Sequence, residues 1–318
     1  MKSILFASTA LVAFAGAAAA QGVALSGSAE MGIINADAGA SDNPTGGDTE
    51  FHTDIDVTFT MSGETDNGLT FGATVDLDES NDNDAFNSRT QGGETIFISG
   101  NFGTLTMGDT DGAFDWAMTE VNFNSGSIND DETTHAGFSG NSGLDGTYDG
   151  QIARYDYAIG GLGFAISAEL DDTDSAANDE VLGLGFTYGI DLGGTTVNLG
   201  LGYQTTQVAN VDRDIVGVSA NASFGSITAG INYSQLEIGA AEVDHVAVGL
   251  GYSSGPLSLN INYGDYDRGA AALDSDGFGL SAGYDLGGGA AIQFGYGTGE
   301  VGNAGSNSSY SLGVSMSF

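Results

Sequence analysis

The sequence contains no cysteine, so the chain has neither a disulfide framework nor a thiolate metal site. Proline is scarce, with two residues in 318, whereas glycine is abundant, with 53. This composition fits neither collagen nor a proline-rich linker. Basic residues are also rare: no lysine follows Lys2, and the arginines are Arg89, Arg154, Arg213 and Arg268.

The charge balance is strongly acidic, because 43 Asp and Glu against five Lys and Arg give a formal net charge of −38. Such a polyanion repels nucleic acid. It attracts cations, so divalent ions and cationic solutes are the expected partners. High acidity with few aromatics is typical of disorder, but 12 Tyr and 17 Phe argue against disorder for most of the chain.

The first twenty residues are typical of a secretory signal peptide. Lys2 supplies a positive n-region, residues 4–14 supply an apolar h-region, and residues 18–20 form a small-residue cleavage site. We therefore expect residues 1–20 to be removed on export and residues 21–318 to form a single domain.

Apolar residues alternate with small or polar residues along most of that domain, which is the period of a β-strand. Ile55, Val57, Phe59 and Met61, for example, alternate with Asp and Thr. The same alternation returns at 69–77, 197–203, 227–233, 246–252, 257–263, 278–284, 292–296 and 310–318, with no charge on the apolar faces.

The connections alternate in length, which predicts sixteen strands. Short turns fall at 64–68, 101–103, 160–161, 191–194, 224–225, 254–256 and 286–289. Longer, acidic loops fall at 35–50, 78–93, 109–150, 171–178, 207–212, 237–244, 267–275 and 299–307. Short periplasmic turns, long external loops and an apolar outer band are the layout of an outer-membrane barrel. Because hydrocarbon offers no hydrogen-bond partner, we predict an all-β fold: a closed, transmembrane, antiparallel up-and-down β-barrel.

Aromatic residues are spaced as two girdles would be. If odd-numbered strands run outward, one set lies near the external rim: Tyr203, Tyr233, Tyr263, Tyr296 and Tyr310. A second set lies near the periplasmic rim: Tyr188, Tyr252, Tyr284 and Phe318. The alternative is that these tyrosines are ordinary strand-forming residues.

Five segments carry a family pattern: VALSGSAEMG at 23–32, VTFTMSGETDNGLTFG at 57–72, IFISGNFGTLTMGDTDG at 96–112, YDLGGG at 284–289 and VSMSF at 314–318. In these segments the chain resembles the sixteen-stranded general porins of alphaproteobacteria, the Rhodobacter-type trimeric porins. The resemblance implies a homotrimer in outer-membrane lipid and lipopolysaccharide, and passive diffusion of small hydrophilic solutes and ions. It also implies a long third loop folded into the barrel, and residues 109–150 form the one connection long enough for that role.

The wall charges depart from the family pattern, in which basic wall residues face an acidic third loop. Asp54 and Asp56 stand before the FTMSG segment where the family has basic residues, and Glu30 stands at a similar position. Arg154 is the main remaining basic candidate. We predict a cation-preferring pore lined by Glu30, Asp54, Asp56, Asp76, Asp78, Asp109, Asp111, Asp115, Glu120, Arg154 and Glu169.

Acidic loops are weak candidates for divalent cations, although no cofactor is required by this interpretation. Carboxylate oxygens that could hold Ca²⁺ or Mg²⁺ loosely cluster at Asp130, Asp131 and Glu132, and at Asp171, Asp172 and Asp174. The alternative is a solvated acidic loop.

The sequence does not predict an enzyme. His52, His135 and His245 are far apart and share no metal-ligand spacing. The leading hypothesis is a non-specific or weakly selective pore, and the alternatives are a substrate-specific channel and a non-conducting structural or adhesive barrel. A soluble calcium-binding β-repeat protein is disfavoured because no fixed repeat such as GGxGxD recurs.

Overall fold

The structure is a computed structural model and describes residues 22–36, 47–78, 91–128, 133–173 and 175–318. The predicted signal peptide at 1–20 lies outside the described residues. So do four of the candidate cation ligands, Asp130, Asp131, Glu132 and Asp174.

Sixteen antiparallel strands form a closed barrel, which confirms the predicted fold class. Each strand pairs with its neighbours in sequence, and the first pairs with the last. The strands are β1 Gly22–Ala36, β2 Glu50–Glu64, β3 Thr70–Asp78, β4 Gln91–Gly100, β5 Gly103–Asp109, β6 Gln151–Ile159, β7 Leu162–Glu169, β8 Val181–Asp191, β9 Thr195–Val208, β10 Val211–Phe224, β11 Ile227–Ile238, β12 Ala241–Ser254, β13 Leu257–Asp267, β14 Ser275–Gly287, β15 Ala290–Val301 and β16 Ser306–Ser317.

The alternation in the sequence becomes an apolar outside and a polar inside. Val218, Leu250 and Ile261 point outward, where about half of each side chain is exposed. Inward positions such as Ser219 and Asn260 are buried within the barrel. Because side chains on a strand alternate between faces, one strand supplies both the hydrocarbon-facing surface and the interior wall.

Three connections predicted as loops are shorter in the structure, because the strands continue through their acidic segments. β9 runs to Val208 and β10 begins at Val211, so only Ala209 and Asn210, with φ of 54° and 61°, form the turn. The connections β11–β12 and β15–β16 are likewise reduced to residues 239–240 and 302–305. Acidic residues there end the apolar band but not the hydrogen-bonded ladder, since ladder bonds come from the backbone.

The external tyrosines lie on the outer face of the strands that they were assigned to. The Tyr203 and Tyr233 hydroxyls donate to the carboxylates of Asp214 and Asp244, both at 2.6 Å. Each acceptor lies on the following strand, beyond the apolar stretch. A ring buried in an apolar band with its hydroxyl hydrogen-bonded at the edge is the arrangement expected of an interfacial tyrosine.

Residues 110–150, which we call the constriction loop, leave the end of β5 and fold into the barrel. The loop contains a five-residue helix, α1 Ala113–Ala117. A small apolar core, Phe114, Met118, Leu144, Val181 and Ile215, joins the loop to the inner wall. No helix in the described part of the chain is long and apolar enough to cross a membrane.

Candidate functional site: the constriction of the barrel

The constriction loop lies directly on inward-facing glycines of the barrel wall. A Cβ atom added at Gly185, Gly200 or Gly249 would lie 2.0 Å from a carbonyl oxygen of the loop, belonging to Ala113, Ala117 and Val121 respectively. No side chain fits in that space, so glycine at these positions permits the loop backbone to touch the strands.

The loop follows the wall around most of the barrel. Trp116 packs near Gly163 of β7, and Ile128 reaches the seam where Gly32 of β1 pairs with Gly313 of β16. The return arm, residues 133–150, contacts β13–β16 at its start and then strands back to β7. The described contacts of the loop are with β6–β16 and β1.

Buried asparagines on the wall satisfy the carbonyl groups of the outgoing arm. Asn232 Nδ2 donates to Thr119 O at 2.9 Å, and Asn260 Nδ2 donates to Val121 O and Phe123 O at 3.2 Å each. A buried carbonyl without such a donor would cost about 1–3 kcal/mol. We did not predict these residues from the sequence, although asparagine at inward-facing positions of otherwise uncharged strands indicates such a role.

Glu169 anchors the return end of the loop instead of lining open space. Its side chain is buried, and its two carboxylate oxygens accept backbone N–H groups of Thr147, Tyr148 and Gly150 at 3.2, 3.0 and 2.8 Å. The carboxylate is inward-facing, as the sequence predicted, but the loop covers it.

Asp145 joins the two ends of the loop. Its carboxylate accepts the Gly112 N–H at 2.8 Å and the Gln204 side-chain amide at 2.5 Å. Gln204 is fully buried, and its other amide atom accepts the Leu144 N–H at 2.7 Å. Burial raises the pKa of Asp145 to about 6, although these hydrogen bonds lower it.

Arg154 is buried beneath the start of the loop. Its Nε lies 3.6 Å from the Asp156 carboxylate, and its Nη1 donates to the Asp111 carbonyl at 2.5 Å. Only 2% of the residue is exposed. The charge of Arg154 is therefore compensated locally by Asp156 and does not face the open channel.

The loop acids near this arginine differ in exposure. Asp111 is exposed, whereas Asp115 and Glu120 are half-buried. Burial, together with the neighbouring carboxylates of Asp111, Asp145 and Glu120, raises the pKa of Asp115 to about 8, against the lowering effect of Arg154. Asp115 therefore holds its proton at neutral pH and contributes little negative charge to the channel.

The wall acids of β1–β3 form one group on the inner face. Glu30 pairs in register with Asp54, and Asp56 pairs with Asp78. The side chains of Glu30, Asp54, Asp56 and Asp76 are half-buried. Ser28 and Thr58 hydroxyls donate to Asp56 and Asp76 at 2.8 and 3.0 Å. The topology thus brings together the backbone positions of five acids that are spread over 49 positions of the sequence, although the side chain of Asp78 lies outside what the structure describes.

Asp109 and the remaining cation candidates lie elsewhere. Asp109 is exposed at the end of β5 and accepts the Gly93 N–H at 2.9 Å. Asp171 accepts the backbone N–H and the hydroxyl of Thr173 at 2.9 and 2.5 Å, and the hydroxyl contact lowers the pKa of Asp171. Within the described ranges, no three His, Asp or Glu side chains are grouped so that they could hold a metal ion.

Two short strings that resemble the GxSxG nucleophile motif lie at 251–255 and 279–283. The motif requires a sharp turn between a strand and a helix, which exposes the serine. Ser281 is instead buried within β14, and Ser253 lies in β12. Neither serine is placed as a nucleophile.

A closed barrel of this size, apolar outside and constricted by a loop inside, defines a membrane-channel scaffold. The family model described as Gram-negative porin matches residues 7–304, and the chain belongs to that family.

Among curated proteins, the chain is similar to the porin of Rhodobacter capsulatus, with 29% identity over 218 residues. That match spans 64% of this chain and 64% of the length of the relative. Among solved structures, a refined porin structure is 24% identical with a TM-score of 0.69, and a variant of the Rh. blastica porin is 22% identical with a TM-score of 0.70. Each covers 93% of this chain and 100% of the matched chain, so the shared fold extends over the whole barrel.

Proposed function

We propose that this protein forms a water-filled outer-membrane channel for passive diffusion of small hydrophilic solutes and ions, and that the channel prefers cations. The proposal rests on the charge distribution at the constriction. Glu30, Asp54, Asp56 and Asp76 are half-buried on the inner face of β1–β3, whereas Arg154 is buried under the loop.

Simple electrostatics supports ionised wall acids. Asp54 and Asp56 are two positions apart on one face, about 7 Å, and in water two such charges repel by only about 0.6 kcal/mol. Because that repulsion is small, both carboxylates stay ionised in a wet lumen. A cation at a similar distance gains about 0.6 kcal/mol from each carboxylate, which raises its local concentration about threefold.

The test is the reversal potential across a potassium chloride gradient in planar bilayers. We expect cation preference in the wild type, sharpest in dilute salt, where charges are less screened. The double variant Asp54→Asn with Asp56→Asn should bring the permeability ratio of potassium to chloride closer to one. As a matched control, Glu64→Gln with Asp66→Asn removes two exposed charges from the turn of the same hairpin and should leave the ratio nearly unchanged.

A chelator distinguishes an acidic wall from a wall neutralised by divalent cations. If Ca²⁺ or Mg²⁺ binds the acidic loops or the wall, chelation should increase cation preference. Anion preference in chelated, dilute buffer would contradict the acidic-wall proposal, and a folded barrel without conductance would contradict the channel.

The assembly and export proposals rest on the family resemblance. We propose a homotrimer, embedded in outer-membrane lipid and lipopolysaccharide after removal of residues 1–20. The outer face of β1–β5 supports packing between copies, because these strands contain no tyrosine, while the external tyrosines lie on β9–β16. Where two copies pack together, the surface faces protein instead of the lipid interface that such tyrosines favour, so tyrosines are not expected there.

A further inference from the structure

The fold brings together two histidines that are 110 positions apart in the sequence. His135 belongs to the return arm of the constriction loop, and His245 is a buried inward residue of β12. Both contact the backbone of Gly137. The Gly137 N–H donates to His135 Nδ1 at 3.2 Å, and the Gly137 carbonyl accepts from His245 Nε2 at 3.1 Å.

The contacts define the protonation state of both rings. His135 Nδ1 accepts a hydrogen bond, so its proton is on Nε2, which donates to Asn262 Oδ1 at 2.7 Å. His245 donates through Nε2, and its Nδ1 is buried with no hydrogen-bond partner among the described residues. Each imidazole is therefore neutral, because a second proton would point at the Gly137 N–H in one ring and at no acceptor in the other.

Backbone packing at the same point prevents the return arm from moving closer to the wall. A Cβ on Gly264 of β13 would lie 1.9 Å from Gly137 O, and a Cβ on Gly137 would lie 2.0 Å from Gly264 O. The return arm is thus pressed against the wall at Gly137. If it leaves the wall, it moves toward the channel axis, since the strands block the other direction.

We propose that His135 and His245 are positioning residues that form a proton-sensitive tie, which holds the return arm of the constriction loop against the wall and whose release narrows the channel. This inference rests on the proposed channel function. The tie is defined by His135, Gly137 and His245.

The surrounding charges do not supply a partner for an imidazolium in the held state. Asp276 of β14 acts on His135 through space, and Asp265 and Arg268 act on His245 with opposite signs. The Tyr266 ring packs on the His245 ring, with 4.2 Å between the centroids. The guanidinium carbon of Arg268 lies over the Tyr266 ring, 4.6 Å from its centroid. Burial lowers the pKa of His135, against the raising effects of Asn262 and Asp276.

The sign of the pH effect follows from this difference between held and released states. A released histidine takes up a proton near its ordinary pKa of about 6.5, whereas a held one resists protonation. Holding is therefore fully favoured above that pH and weakens as the pH falls below it. One pH unit below, each histidine shifts the equilibrium toward release by up to about tenfold, and the two together by up to about a hundredfold.

The test is single-channel recording in planar bilayers between about pH 8 and about pH 5. We expect the wild type to show more narrowed or closed intervals as the pH falls. The pH dependence of the ratio of narrowed to open time gives the number of protons taken up on narrowing. That number should be larger in the wild type than in the double variant His135→Asn with His245→Asn, by up to two protons. Each single variant should take up about one proton fewer than the wild type.

His52→Asn is the matched control, because it also removes a histidine from an inward position, on β2 and outside the tie. His52 belongs to the channel wall, so the readout of this control is not the open conductance but the pH dependence of the ratio of narrowed to open time, which should match that of the wild type. Asp115 and Asp145 titrate in the same range but remain in every variant, so the difference between profiles isolates the histidines. His135→Gln and His245→Gln serve as second variants if an asparagine form does not assemble.

The outcomes separate this inference from the channel proposal. A double variant with the wild-type pH profile, or a wild type insensitive to pH over this range, would overturn the histidine tie and leave the channel intact. Absence of conductance at about pH 8 in a folded barrel would overturn the channel and with it the tie.

Discussion

Burial decides which acidic residues contribute charge to the channel. Asp115 and Glu169 were both predicted as lining residues, but Asp115 holds its proton at neutral pH and Glu169 is bonded to three backbone N–H groups. Arg154 is similarly covered and compensated by Asp156. Of the predicted lining residues, Asp115, Glu169 and Arg154 are therefore not simple exposed charges, whereas Asp109 and Asp111 are exposed and the acids of β1–β3 are half-buried.

Asp115 gives a prediction about stability and pH. Its pKa in the fold, about 8, is above the ordinary 3.8, so the folded barrel retains a proton that the unfolded chain has lost. Stability should decrease as the pH rises between these values, by up to about 1.4 kcal/mol for each pH unit. Asp115→Asn should remove that slope and unfold at higher urea concentration than the wild type near pH 8, with little difference near pH 4.

The measurement is urea unfolding of barrels in lipid vesicles, followed by the fluorescence of Trp116, the single tryptophan of the chain. Asp66→Asn, in an exposed turn, is the control and should follow the wild type at every pH. An Asp115→Asn curve parallel to the wild type across the range would show that burial does not govern this carboxyl group.

The constriction loop is an element whose position depends on glycine as much as on hydrogen bonds. Its two arms contact the wall through backbone atoms, at positions where the strands present Gly185, Gly200, Gly249 and Gly264. Buried asparagines and Gln204 then satisfy the loop backbone. These contacts hold both arms of the loop against the wall.

The close approach at Gly249 can be tested directly. Gly249→Ala places a methyl group 2.0 Å from Val121 O, so the loop must move toward the axis. We expect lower single-channel conductance and a stability loss of about 1–3 kcal/mol. Gly189→Ala is the matched control, because a Cβ there meets only Asn198 Oδ1 at 3.6 Å, and its conductance should equal that of the wild type. Equal conductance of both variants would contradict a loop in contact at Gly249.

At the scale of the whole molecule, the barrel is asymmetric. β5–β7 are 7 to 9 residues long, whereas β9–β16 are 11 to 14. The longer side carries the external tyrosines, and the hydroxyls of Tyr203 and Tyr233 reach acids beyond the apolar band.

The trimer proposal predicts a defined mass in mild detergent. Extracted protein should have the mass of three chains, and cysteines introduced on the outer face of β1–β5 should cross-link between copies, since the chain has no cysteine of its own. Ile96→Cys on β4 is a suitable site, because this side chain is exposed on the outer face. Val248→Cys, also exposed but on the long side, is the control and should not cross-link. Recovery of monomers alone would contradict the trimer.

The barrel was predictable from the sequence alone. An alternation of period two marks the two faces of each strand, and a membrane barrel requires only that alternation and closed edges. The sequence also determined that Glu30, Asp54 and Asp56 share the inward register. It could not set strand ends such as Val208, since backbone pairing continues where the apolar band stops. The covering of inward charges by the loop, and the convergence of His135 and His245 on Gly137, are visible in the folded structure alone. Those contacts join residues far apart in the chain through the path of one loop, and no local pattern encodes that path.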